Sequence, residues 1–256
     1  MSLARQIHLK SPAELQTMRE AGRINAEVLA AVKALIKPGV STAELNAAAE
    51  EVLRKHKCVS PFKGYGHPPF PTSITTSINR ELVHGIPSKS RKLKAGDIVS
   101  VDCGTVLDGL VADSAFTAGV GEISPDARHL LEVTEGALRA AIEKMRVGNR
   151  IGDISAAIQN YVESRGHHVT REYTGHGVGR QMHEGHQVPN YGKPGSGMPL
   201  KPGMTIALEP MVLVGTAETR VLPDQWTVVS ADGSLTAHFE HSVAVTEGDP
   251  LILTLP

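Results

Sequence analysis

Cysteine is scarce in this chain. Its 256 residues include two cysteines, Cys58 and Cys103, too few for a disulfide framework or a thiolate zinc site. Aromatic residues make up 4%, so any aromatic-lined pocket must be small. Formal net charge is −1, so nothing points to wholesale binding of nucleic acid or anionic membranes. No apolar run approaches the roughly 20 residues of a membrane span. Residues 1–10 carry charge and contain neither an apolar h-region nor a small-residue cleavage site. A secretory leader is therefore not expected, and a reducing cytoplasm is the expected compartment. The rest of the composition, 41% hydrophobic and 21% charged, fits an ordinary globular protein.

Helix signals are abundant. Ser11-Pro12-Ala13-Glu14 is a capping box with proline at the first helical position, and helical spacing then continues to a stop at Pro38-Gly39. Ser41-Thr42-Ala43-Glu44 opens a second helix, to about Lys57. Ser124-Pro125-Asp126 opens a third, to about Met145, and a fourth runs from about Asp153 to Gly166. β-rich runs cover 73–79, 97–117, 205–222, 226–230 and 237–245, and the Pro/Gly-rich stretches 64–71 and 189–203 read as loops. Helix, helix, strand, strand thus occurs twice, over about 11–120 and 124–248. We expect one pseudo-symmetric α+β domain, residues 1–256, with a mostly antiparallel central sheet backed by helices.

The repeat carries acids. Leu93-Lys94-Ala95-Gly96 leads through an apolar strand to Asp102, and Leu200-Lys201-Pro202-Gly203 leads through another to Glu209, 107 residues later. Each has a second carboxylate downstream, Asp113 and Glu240. The Asp108-Gly109 hairpin turn makes Asp102 and Asp113 opposite or diagonal neighbours. One such acid alone reads as a salt-bridged core residue. Four together need four buried cations, and these strands contain almost no Lys or Arg; two divalent ions would cancel four negative charges. The run Thr174-Gly175-His176-Gly177-Val178-Gly179 could add an imidazole, because its glycines permit close backbone approach, although it also reads as a flexible loop. His84, before Gly85, is either a turn histidine or a site residue. Carboxylates with one histidine and no sulfur suit manganese, iron(II), cobalt or zinc.

Together these residues resemble the creatinase/aminopeptidase "pita-bread" metallopeptidases, and within them the bacterial type I methionine aminopeptidases. The matching motifs are Ser77-Ile78-Asn79 with His84-Gly85-Ile86-Pro87, Val101-Asp102-Cys103-Gly104, Asp108-Gly109 with Asp113-Ser114, Gly175-His176-Gly177-Val178-Gly179, Ala207-Leu208-Glu209-Pro210 and Phe239-Glu240-His241. The resemblance covers essentially the whole chain. It implies a pita-bread fold and two divalent ions, one held by Asp113, His176, Glu209 and Glu240, the other by Asp102, Asp113 and Glu240. It implies removal of N-terminal methionine before a small second residue, with a metal-bridged water attacking the first peptide carbonyl. Glu209 would shuttle protons, His183 would bond the carbonyl, and His84 would contact the scissile nitrogen. The methionine pocket would comprise Phe70, Thr75, Met182 and Trp226, with His67 near the rim. Without the resemblance, Phe70, Met182 and Trp226 read as core. The family often has cysteine at the position of Thr75 and an aromatic at that of Met182, which leaves the pocket's exact fit open.

The resemblance further implies a monovalent-cation loop near Asn79, nascent chains as substrates with transient ribosome association, and a monomer without specific nucleic-acid or membrane partners. No zinc-binding or proline-rich N-terminal extension is seen that would dock a ribosome. The start Met1-Ser2 is itself a substrate by this specificity, so the mature chain is expected to begin at Ser2. A prolidase or aminopeptidase P would share the five ligands, but usually with a large extra N-terminal domain. A non-catalytic binding module of the same fold typically loses ligands, whereas all five are present here.

Overall fold

The computed structural model describes residues 7–256, so the expectation about Ser2 lies outside the described residues. Elements follow in the order α1 (Pro12–Ala34), α2 (Thr42–Lys55), β1 (Thr75–Ile78), β2 (Glu81–Val83), β3 (Ile98–Leu107), β4 (Leu110–Gly119), α3 (Pro125–Ile142), α4 (Ile151–Glu163), β5 (His168–Val169), β6 (Thr174–Gly177), β7 (Glu184–Pro189), β8 (Thr205–Leu208), β9 (Met211–Leu213), β10 (Thr219–Val221), β11 (Val228–Ser230), β12 (Thr236–His238), β13 (Glu240–Ala244) and β14 (Leu251–Ile252).

Local chemistry sets the helix starts. Glu14 N–H donates to Ser11 Oγ at 3.3 Å while Ser11 N–H donates to Glu14 Oε2 at 2.8 Å, and Ser41 and Glu44 repeat the pattern at 3.3 and 2.8 Å. Each cap stabilises by about 1 kcal/mol. The helices end two to four residues short of the expected stops, at Ala34, Lys55, Ile142 and Glu163. No helix among the described residues is long and apolar enough to cross a membrane.

One eight-stranded sheet, ordered β1-β3-β4-β13-β8-β6-β7 with β14 beside β13, joins the two halves of the chain through the β4–β13 pair. Every pairing in it is antiparallel. Two three-stranded sheets, β10-β11-β2 and β12-β9-β5, flank it. Side chains alternate between faces along each strand. On β3, Val99, Val101 and Cys103 pack with Val28, Val32 and Leu45 of α1 and α2. On β8 and β13, Ile206, Leu208 and Val243 pack with Leu130, Val133, Ile154 and Ile158 of α3 and α4. The opposite parity sends Asp102, Glu209 and Glu240 to the face away from the helices, and it does the same for Asp113, whose neighbour Ser114 bonds Asn25 of α1.

Sequence periodicity did not anticipate β6 and β7, because two glycines in β6 and one in β7 dilute the apolar alternation. The expected run 205–222 breaks at Pro210, and the run 237–245 breaks at Phe239, so β12 joins a different sheet from β13.

Candidate metal centre and substrate cavity

Gly104 lies opposite Asp113 and Asp102 opposite Ala115, so the two acids are diagonal neighbours on one face. Ser242 clamps the next strand to them: Asp113 N–H donates to Ser242 Oγ, and Ser242 O–H donates to Asp113 O, both at 2.9 Å. Glu240 opens β13 opposite Ala115, and Glu209 follows β8 directly. His176 on β6 faces this group, its Nε2 3.4 Å from Glu209 Oε1 and 3.8 Å from Asp113 Oδ2. Ligand atoms of Asp113, His176 and Glu240 all lie within 4.8 Å of one another. Ser77 opposes Ser100 on β1 as His176 opposes Ala207 on β6. The 107-residue offset between Asp102 and Glu209 also separates Ser100 from Ala207, so the first half has a serine where the second has its imidazole.

No Lys or Arg pairs with the four acids among the described residues; histidines alone stand within 4.0 Å. Burial, then repulsion from Asp113, pushes the Asp102, Glu209 and Glu240 carboxyls well above their ordinary range. Burial raises Asp113 to about 7, against hydrogen bonds with Asp102, Ser114 and Glu240 that pull it down. Burial lowers His176 to about 3, leaving it neutral at pH 7. Asp102 Oδ1, Asp113 Oδ1 and Glu240 Oε1 are buried without hydrogen-bond partners. Orphaned oxygens, crowded acids and a neutral imidazole are a donor set that fits divalent cations.

A cavity of about 120 Å³ adjoins these groups. Phe62, Phe70, Thr75, Met182 and Trp226 supply its side walls, and His84, His183 and the acids close the polar end. The Trp226 ring meets Phe70 edge-on at 5.2 Å and donates Nε1–H to Pro68 O at 3.0 Å. His84 has φ +61° in the left-handed region, conformational strain that surrounding structure must hold. A wider groove shares Tyr65, His84, His176, His183 and Glu209 with the cavity, so the cavity opens into it.

One expected placement changes. His67 is exposed and does not line the cavity; Tyr65 stands there instead, its hydroxyl 2.7 Å from His183 Nδ1. Asn79 braces a turn: its Nδ2 donates to Asp97 Oδ1 at 2.8 Å, and its Oδ1 accepts from Ile98 N–H at 3.0 Å. Sequence reasoning missed Phe62, Tyr65 and His238, none of which stands in a recognisable motif.

Residues 16–247 match the model of metallopeptidase family M24. The chain belongs to metallopeptidase family M24. Among M24 relatives, it is 50% identical over 249 residues to a methionine aminopeptidase of Clostridium acetobutylicum, covering 97% of this chain and 99% of that one. It is 51% identical over 245 residues to methionine aminopeptidase 1 of Bacillus subtilis, covering 96% and 98%. The crystal structure of a methionine aminopeptidase from Thermotoga maritima superposes with a TM-score of 0.96 at 43% identity, covering 98% of this chain and all of that one. The M24 fold also reaches an Xaa-Pro dipeptidase from Bacillus anthracis, with a TM-score of 0.76 at 22% identity over 62% of that longer chain. These likenesses make the pita-bread fold expected from the motifs the observed one.

Proposed function

We propose that this protein is a methionine aminopeptidase that uses two divalent ions to remove N-terminal methionine from peptides and nascent chains when the second residue is small. The observation that carries this reading is the junction of a small apolar cavity with a buried group of four acids and one neutral imidazole. The cavity suits an unbranched apolar side chain, and the adjoining groove leaves room for the peptide beyond it. Near-full-length relatives of about 50% identity favour methionine over an X-Pro substrate.

Asp113, His176, Glu209 and Glu240 would hold one ion, and Asp102, Asp113 and Glu240 the other. When bound, the ions supply Lewis acidity, polarising the carbonyl and lowering the pKa of water. The chain's own groups do the rest. With Tyr65 O–H donating to its Nδ1, His183 keeps a proton on Nε2 and donates it to the scissile carbonyl oxygen. His84, lowered to about 4 by burial and then by His183, is neutral at pH 7 and contacts the scissile amide nitrogen without adding charge. Glu209 takes a proton at its carboxylate and returns it to the departing amine. Phe70, Thr75, Met182 and Trp226 exclude water from the side chain.

We read the chain as one catalytic unit built from a duplication, acting as a monomer in the cytoplasm, with ribosome contact limited to transient encounters at the emerging chain. Incubating purified protein with Mn, Fe(II) or Co and either Met-Ala-Ser or an X-Pro peptide tests the activity. Methionine release is expected; its absence with all three metals would overturn the reading.

A further inference from the structure

His238 stands outside every role given above. It ends β12, two residues before Glu240, and is 2% exposed. Its backbone is fixed from both sides by one hydroxyl: His238 N–H donates to Thr117 Oγ1 at 3.0 Å, and Thr117 O–H donates to His238 O at 2.8 Å. Thr117 Oγ1 is itself 2.8 Å from Ser100 Oγ across the β3–β4 ladder. The residue is therefore anchored to the hairpin that carries Asp102 and Asp113. Its side chain is not satisfied: Nε2 is buried with no hydrogen-bond partner. That atom faces two carboxylates, 3.6 Å from Glu209 Oε2 and 3.9 Å from Glu240 Oε2.

The Glu209 carboxylate is thus flanked by two imidazoles, with Oε1 toward His176 at 3.4 Å and Oε2 toward His238 at 3.6 Å. The separations to His238 exceed the 3.2 Å or so of an N–H···O bond, yet no other acceptor competes for Nε2. We propose that His238 is a positioning residue of the metal centre, its Nε2–H steering Glu209 Oε2 and Glu240 Oε2 so that Glu209 Oε1 faces the ion beside His176. This rests on the dimetal reading above. Donors behind metal-binding carboxylates fix their rotation and tune affinity, typically by about 10–100-fold.

Two variants separate donation from shape. His238→Phe keeps a planar ring without the N–H, and His238→Gln keeps an N–H donor. Calorimetric titration with Mn(II) should show one of the two sites weakened about 10–100-fold in His238→Phe and mostly restored in His238→Gln. With Met-Ala-Ser, His238→Phe should lower kcat with KM little changed. Pulsed EPR of Mn(II)-loaded wild type should count one coordinated imidazole per site pair. Wild-type Mn(II) affinities in His238→Phe would overturn the proposal, as would a second coordinated imidazole, which makes His238 a ligand. If His238→Phe does not fold, nitrogen-15 NMR of zinc-loaded wild type decides: a protonated His238 Nε2 is expected, and an unprotonated one overturns the proposal. Wild type that binds no Mn(II) would instead sink the dimetal reading beneath it.

Discussion

Lys10 Nζ lies 2.5 Å from Glu184 Oε2, and neither side chain reaches solvent. The other Glu184 oxygen accepts from Arg180 N–H at 2.7 Å. This pair pins the segment that carries Met182 and His183 into the site. Removing one partner leaves a buried charge uncompensated, so Lys10→Met should destabilise by about 3–5 kcal/mol. A lowered urea midpoint with unchanged slope is the expected result, and Glu184→Gln added to Lys10→Met should recover part of the loss.

Asp113 predicts opposite effects with and without metal. Its folded-state pKa of about 7 exceeds the ordinary 3.8. Between those values the folded protein keeps a proton that the unfolded chain releases, so stability from this group is full at low pH and falls as pH rises toward about 7. Asp113→Asn does not titrate. Metal-free Asp113→Asn should therefore gain stability relative to metal-free wild type as pH rises from about 5 to about 8. Added Mn(II) should reverse the order if, as proposed, the Asp113 carboxylate is shared by two ions, because the variant would lose that ligand. Denaturant melts at both pH values, with and without Mn(II), check this.

Metal binding should release protons. Burial holds the Asp102, Glu209 and Glu240 carboxyls above their ordinary range, and bound ions require the ionised forms. Affinity should tighten as pH rises through neutrality. Calorimetry in buffers of different ionisation enthalpy should give a positive proton release per ion at neutral pH; zero release would contradict the raised carboxyls.

His183→Ala should separate chemistry from metal binding. On the role proposed for His183, losing a donor to the developing oxyanion should lower kcat by about 10²–10³-fold. Two ions should still bind by calorimetry. Tyr65→Phe should produce a smaller fall in the same direction, since it removes only the hydroxyl 2.7 Å from His183 Nδ1.

Trp226→Ala should loosen the cavity. It removes the edge contact with Phe70 at 5.2 Å and the bond to Pro68 O. Discrimination between methionine and larger apolar side chains should fall by about 10–200-fold in kcat/KM, the range for small volume changes in an apolar pocket.

Much of the fold and the site is legible in the amino-acid order. Ser11, Ser41 and Ser124 announce their helices because a cap is a bond spanning three residues. Asp102, Asp113, Glu209 and Glu240 stand out because acids are rare in apolar strands, and the motifs around them extend that to His176. The strands bearing His176 and Glu184 stay hidden, since β6 and β7 exist through pairing with each other and with β8 rather than through an apolar pattern.

The amino-acid sequence by itself determined the three serine-capped helix starts, the apolar strands and the identity of the acids embedded in them. Those depend on interactions a few residues long and on the period of a strand. Tertiary structure alone decided that Asp102 and Asp113 are diagonal rather than opposite, that Tyr65 reaches His183, that Lys10 pairs with Glu184, and that His238 lies beside Glu209. The Tyr65–His183 contact spans 118 residues and the Lys10–Glu184 contact 174. Contacts of that span leave no local pattern, because what brings the partners together is the packing of the whole sheet against its helices.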